Sequence, residues 1–236
     1  MVDRKLLRLS ATLLFVGFLL WMLFNCFHTL DENGKLPNNH PVVFAAYAAS
    51  GDWTAVHLGL FVGTAVFLAG LLALFFALDV RSGIPRWVGL FGAISAGVTL
   101  ALAGVAYAVD GVALKQAVDA WASAPAAEQA TRFASAEAIR WLEWGTKSYW
   151  SSMFGLTLVL FAIVIVWTAR VPRLIGALMG LSGLAYLGQG WVIGNEGFTS
   201  TDVALAIAGF LLLTAWSIGL LIVAWRRKES VLAGNG

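Results

Sequence analysis

The sequence predicts an all-α, polytopic membrane protein: six transmembrane helices with a helical cap on the outer side. Three observations predict it. First, 60% of the 236 residues are hydrophobic and 12% are charged, against about a quarter charged in a soluble domain. Second, the apolar residues gather in six segments without interior charges, 9–27, 54–78, 87–109, 149–169, 174–194 and 203–225. Each is close to the roughly 20 residues that cross a bilayer as a helix, and helix is the form that satisfies the backbone in lipid. Third, the basic residues cluster beside alternate ends of these segments. We treat 1–236 as a single integral membrane domain with outer segments 28–53 and 110–148.

The first span follows Arg4, Lys5 and Arg8 and is too long, with no small-residue cleavage site behind it, for a removable signal peptide. We expect it to be retained. Cys26, the single cysteine, excludes an intramolecular disulfide and is expected to be a small buried hydrophobe. With the N-terminus in the cytoplasm, that side holds Arg4, Lys5, Arg8, Arg81, Arg86, Arg170, Arg173, Arg226, Arg227 and Lys228. The outer side holds Lys35, Lys115, Arg132, Arg140 and Lys147, so ten of 15 basic residues lie inside. This bias places both termini in the cytoplasm. No basic tract is long enough to suggest nucleic acid.

The connections are unequal. "DVRSGIPR" and "RVPR" are short and face the cytoplasm, whereas the outer segments are long and so the better place for function. In the first, "DENGK" and "LPNNHP" carry turn chemistry, "VVFAAYAA" is apolar enough to pack on the bundle, and Asp52 suits the N-cap of the second span. The second is helical in character. After "SAPAAEQ" and Pro125, the spacings Glu128–Arg132 and Glu143–Lys147 at i,i+4, and Glu137–Arg140 at i,i+3, predict a helix that continues into the fourth span. It would carry Trp141, Trp144, Tyr149 and Trp150 through the outer interface, as an aromatic belt or as a pocket wall.

Small residues at Gly59–Gly63, Ala93–Gly97, Gly176–Gly180 and Gly190–Gly194 predict close helix contacts. "IPRWVGLFGAISAGVTLALAGVAY" and "VPRLIGALMGLSGLAYLGQGWVIG" read as a parallel repeat of a two-helix hairpin. The same Pro-Arg starts also follow from capping and charge bias alone.

This layout, with "HPVVFAAYAASGDWTAVHLG" and "VDGVALKQAVDAWASAP", resembles uncharacterised six-helix membrane proteins of actinobacteria and related bacteria, grouped only as a domain of unknown function. The resemblance implies a bacterial inner-membrane protein and transfers no catalytic residue.

Two constellations invite chemistry. His28, His40 and His57 all lie on the outer side, where a neutral imidazole binds metal or, as a facing pair, haem. A hydrogen-bonded interfacial histidine is the plainer alternative. The outer ends also supply Trp53, His57, Asp110, Arg140, Trp141, Glu143, Trp144, Gln189, Trp191, Asn195 and Glu196. Convergent aromatic and polar groups of this kind make ligand pockets, although polar residues at span ends also simply meet water. GxSxG, HExxH and phosphate-loop motifs are absent, and Ser151 or Ser152 beside His57 is the only hydrolase option. Bare span centres speak against charge-driven transport. The leading expectation is a non-enzymatic binding or accessory protein for a lipid-like molecule or a partner subunit. A haem or metal redox protein comes second and an intramembrane hydrolase third.

Overall fold

The computed structural model describes residues 2–28 and 38–226. The expected turn at "DENGK", the first residues of "LPNNHP", and the charges at Lys35, Arg227 and Lys228 lie outside them. Among the described residues the regular structure is entirely helical. Six long helices alternate in direction: α1 (Arg4–Phe27), α3 (Trp53–Leu78), α4 (Ile84–Ala108), α6 (Gln129–Thr168), α7 (Arg173–Glu196) and α8 (Ser200–Arg226). Two shorter helices, α2 (His40–Ala49) and α5 (Lys115–Ala122), sit at one end.

Five helices are long and apolar enough to cross a membrane, namely α1, the continuous Ile84–Ala122 run that contains α4, α3, α6 and α8. They fit a multi-pass membrane protein. The segment predicted as a fifth span is α7, which matches α1 in length but is diluted by six glycines, Ser182, Gln189 and Asn195, and falls outside that group.

Glycine sets the helix spacing. A Cβ on Gly17 would lie 2.4 Å from the Phe67 backbone nitrogen, and one on Gly63 would lie 2.6 Å from that of Trp21, so α1 and α3 touch through their backbones. Gly155 and Gly183 do the same for α6 and α7, each 2.5–2.7 Å from the other's carbonyl oxygen once a Cβ is added. The predicted Ala93–Gly97 contact does not occur, because Gly97 faces open space; Gly89 and Gly92, on the other face of α4, meet Phe75 and Phe161.

The core around these contacts runs through Leu14, Leu68, Leu71, Leu74, Leu158, Phe161 and Trp216. Buried hydroxyls tie it across helices. Ser10 donates to the Gly70 carbonyl and Ser182 to the Gly209 carbonyl, each at 2.8 Å. Ser95, Thr99 and Thr157 form a small network.

One end is fastened by backbone contacts between turns. The Asp3 amide donates to Ala77 O at 3.0 Å, Arg8 Nε donates to Ala224 O, and Arg170 donates to the carbonyls of Leu78 and Asp79. The start of α1 and the ends of α3, α6 and α8 therefore share this end. α3 and α6 stop on the left-handed residues Asp79 and Ala169, the usual way to end a helix sharply.

The opposite end carries a second apolar cluster of Val43, Phe44, Tyr47, Trp53, Leu114, Val118 and Ala136, in which α2 packs on α5 and the start of α6. The predicted second outer helix is not separate from the third span. α4 passes through a π-helical segment, Val109–Leu114, straight into α5.

Several local expectations are corrected. Cys26 is exposed, since its position on α1 looks away from α3. Asp52 holds the N-cap position of α3, but its carboxylate accepts from Ser50 Oγ at 3.0 Å rather than from the helix. Of the three predicted charge pairs on α6 only Glu128–Arg132 forms. Glu143 turns to Arg140 instead, and Glu137 turns to His40.

Candidate functional site

The stretch from Trp53 to His57 is the seat of the site. One turn of α3 presents Trp53, Thr54 and His57, and all three hold the π-helical segment. Trp53 Nε1 donates to Asp110 O at 3.0 Å, Thr54 Oγ1 to Gly111 O at 2.8 Å, and His57 Nε2 lies 2.8 Å from Asp110 Oδ2. The approach is close enough that a Cβ on Gly111 would stand 2.4 Å from His57 Cβ, so only glycine fits there. A π-turn inserts one residue into the helix and recurs at functional sites. Here it turns the Asp110 carboxylate towards α3.

His57 is 2% exposed. Its Nδ1 lies 2.8 Å from the Trp53 carbonyl, which can only accept, so Nδ1 carries a proton. Trp53 is 1% exposed and packs on the rings of Tyr47, His28 and His57 at 4.0, 4.7 and 4.6 Å. It is buried at the centre of the site. His28, at the end of α1, brings its ring centroid to 5.1 Å from that of His57. The donor atoms of His28, His57 and Asp110 all lie within 4.8 Å of one another.

His40 is elsewhere. Its Nδ1 meets Glu137 at 2.9 Å and its ring stacks on Phe44, which joins α2 to α6. A porphyrin does not suit His57, because its macrocycle would have to displace the carboxylate that closes on Nε2. The hydrolase geometry is not assembled either. Both nitrogens of His57 face other groups, and Ser151 Oγ points to Gln189.

A second polar group lies beside the first. Arg140 and Glu143 are 3% and 4% exposed and pair at 2.5 Å. The guanidinium also lies 4.7 Å from the Phe198 ring centre and donates to the Tyr47 hydroxyl at 3.2 Å. Burial pushes the Tyr47 phenol well above its ordinary range, partly opposed by the Arg140 charge, so it accepts as a neutral group. Trp144 packs near His40 and Phe198.

Below these groups, between the α1/α3 pair and α6, α7 and α8, lies a cavity of about 340 Å³. Phe18, Phe67, Phe154 and Phe210 are among its apolar walls, and Lys147, Ser151 and Gln189 supply polar groups. Its rim residues Met22, Cys26 and Ile207 are exposed, so it opens sideways between α1 and α8. The Lys147 ammonium makes no hydrogen bond or ion pair to the described residues and rests 4.2 Å from the Trp150 ring centre. Gln189 is held by Asp202 at 2.9 Å. Tyr107 links cavity and histidine site: its hydroxyl meets Trp21 Nε1 and Thr64, and its ring lies between Trp150 and His57.

The predicted pocket residues thus divide. Trp53, His57 and Asp110 converge, Arg140, Glu143 and Trp144 form the adjoining group, and Gln189 lines the cavity. Trp141, Trp191, Asn195 and Glu196 are exposed and stand outside all three. Helical geometry is the reason: Trp191, two residues after Gln189, projects from nearly the opposite face of α7. Sequence reasoning missed Lys147, Tyr107 and Tyr47 as site residues. A lysine so close to an apolar span was the available signal. No protein-family model matches the chain, and no curated protein or solved structure matches it.

Proposed function

We propose that the chain is a six-span protein of a bacterial inner membrane, with both termini cytoplasmic and the α2/α5 end outside. On this reading it is a non-enzymatic binding protein for an anionic amphiphile. α7 is the sixth span, its glycines, Ser182 and Gln189 meeting α6 and α8. Charge bias beside the helix ends supports the orientation.

One observation carries the ligand reading: the lone Lys147 ammonium at an apolar cavity that opens sideways. A cation so placed calls for an anion. A cavity of about 340 Å³ is within the roughly 300–1,000 Å³ of small-molecule sites. The acyl part would lie against Phe67, Phe154 and Phe210, and the charged head would meet Lys147.

The test is mass spectrometry of lipids that co-purify with the wild type and with Lys147→Gln. The expected result is an enriched anionic amphiphile in the wild type, depleted in the variant. A wild type without enriched lipid, or equal enrichment in both proteins, overturns the reading.

A further inference from the structure

We propose that His28, His57 and Asp110 bind one divalent transition-metal ion of the zinc class. The three residues come from three separate elements, the end of α1, the first turns of α3 and the π-helical segment, and nothing in local sequence brings them together. Their donor atoms lie within 4.8 Å of one another. Donors around one zinc ion are about 3–4 Å apart, given bonds of about 2.0–2.2 Å. Loading the ion requires His28 to approach and the 2.8 Å contact between His57 and Asp110 to widen slightly.

The hydrogen bonding of His57 is that of a ligand. With the Nδ1 proton donated to the Trp53 carbonyl at 2.8 Å, Nε2 presents a lone pair to Asp110 Oδ2, also at 2.8 Å. Two electron-rich atoms do not approach so closely unless something positive joins them. A backbone acceptor on the far nitrogen is the usual outer-shell arrangement of metal-bound histidine. A single proton would satisfy Nε2 and Oδ2, but it would leave Asp110 Oδ1, which is buried without a hydrogen-bond partner. A metal ion takes up that oxygen through its own coordination or through a bound water.

The surrounding structure is built to hold this geometry. Trp53 and Thr54 fasten the carbonyls of Asp110 and Gly111, and Gly111 alone allows the close approach. Two imidazole nitrogens and one carboxylate oxygen suit zinc and leave a fourth position open. The inference is independent of the amphiphile reading, since Lys147 and the cavity walls are not ligands.

The experiment uses the full chain in detergent, stripped with a chelator and titrated with Co²⁺, then with Zn²⁺. Visible absorption and elemental analysis are the readouts. The expected result is one ion per chain, with Co²⁺ bands that Zn²⁺ removes. Asp110→Asn, which keeps the shape and a donor, and His28→Ala should each weaken binding at least tenfold, whereas His40→Ala should not. Absence of stoichiometric binding in the wild type overturns the proposal, as does affinity unchanged in both ligand variants. If Asp110→Asn fails to fold by thermal melting, His28→Ala decides.

Discussion

Along α6, two ways of building a helix bundle can be compared on one element. Near its middle, Gly155 meets Gly183 of α7, and the backbones pack with nothing between them. Nearer its start, Arg140 and Glu143 are almost fully buried, surrounded by Tyr47, Phe198 and Trp144. The first region is held by close contact among small residues and by hydroxyl groups bonded to carbonyls. The second is held by charges that are tolerable only because each has a partner. The small-residue region depends on a glycine standing on the contacting face of its helix, while the charged region fails if one partner is lost.

That contrast sets the largest expected effect. Glu143→Ala breaks the buried pair that Glu143 makes with Arg140, and breaking a buried pair typically costs about 3–5 kcal/mol. A double variant, Arg140→Met with Glu143→Leu, should recover much of the loss, because replacing both charges by apolar groups is often neutral. Thermal or denaturant melting in detergent reads both. If the double variant is no more stable than Glu143→Ala, the pair is not the unit that matters, and the comparison breaks.

Next comes the glycine contact. Gly155→Val puts side-chain atoms where the Gly183 carbonyl and Leu187 backbone now lie. Overpacking typically costs about 1–3 kcal/mol, and backbone cannot yield as a side chain does, so the upper part of that range is expected. Gly97→Val, which faces open space on α4, should leave the melting curve almost unchanged. Equal losses at the two positions would mean that glycine acts through helix propensity rather than through contact.

The two regions were unequally legible in the sequence. Apolar length foretold the long helices, and small-xxx-small spacing found Gly59–Gly63 and Gly176–Gly180 because packing in lipid rewards small residues locally. It missed Gly155–Gly183, where each helix contributes one glycine, and it misplaced Gly97. The charged region was harder. Regular helical spacing pairs Glu143 with Lys147 and Glu137 with Arg140, but burial decides otherwise. The π-helical segment leaves no periodic signal, yet its extra residue turns Asp110 towards His57 and continues α4 into α5. "DWTAVH" showed its aromatic and histidine residues plainly; their shared partner, more than fifty residues away, did not show.

Gly111 tests where the regions meet, because it combines a glycine contact with a polar site. Gly111→Ala should push the π-helical segment away from α3, since the added Cβ would lie 2.4 Å from His57 Cβ. The cost should fall within the roughly 1–3 kcal/mol of overpacking. It should also lengthen the His57–Asp110 contact, read as a changed ¹⁵N shift of His57 Nε2. A stability loss without any change at His57 would separate the glycine from the site it adjoins.

The smallest effect is expected at Ser182. Its hydroxyl donates to the Gly209 carbonyl at 2.8 Å and is fully buried between α7 and α8, so a soluble-protein argument assigns it a net hydrogen bond of about 1 kcal/mol. Within a membrane bundle the average is lower, about 0.6 kcal/mol, because the unfolded helices also find partners. The Gly209 carbonyl lies within α8 and keeps its helical hydrogen bond when the hydroxyl is removed, so no acceptor is stranded. Ser182→Ala should therefore lower stability by about 0.6 kcal/mol, well under the Glu143→Ala loss. A loss as large as that of Glu143→Ala would mean that buried hydroxyls, like buried charges, fail when one partner is lost, and the two regions of α6 and its neighbours would then obey one rule.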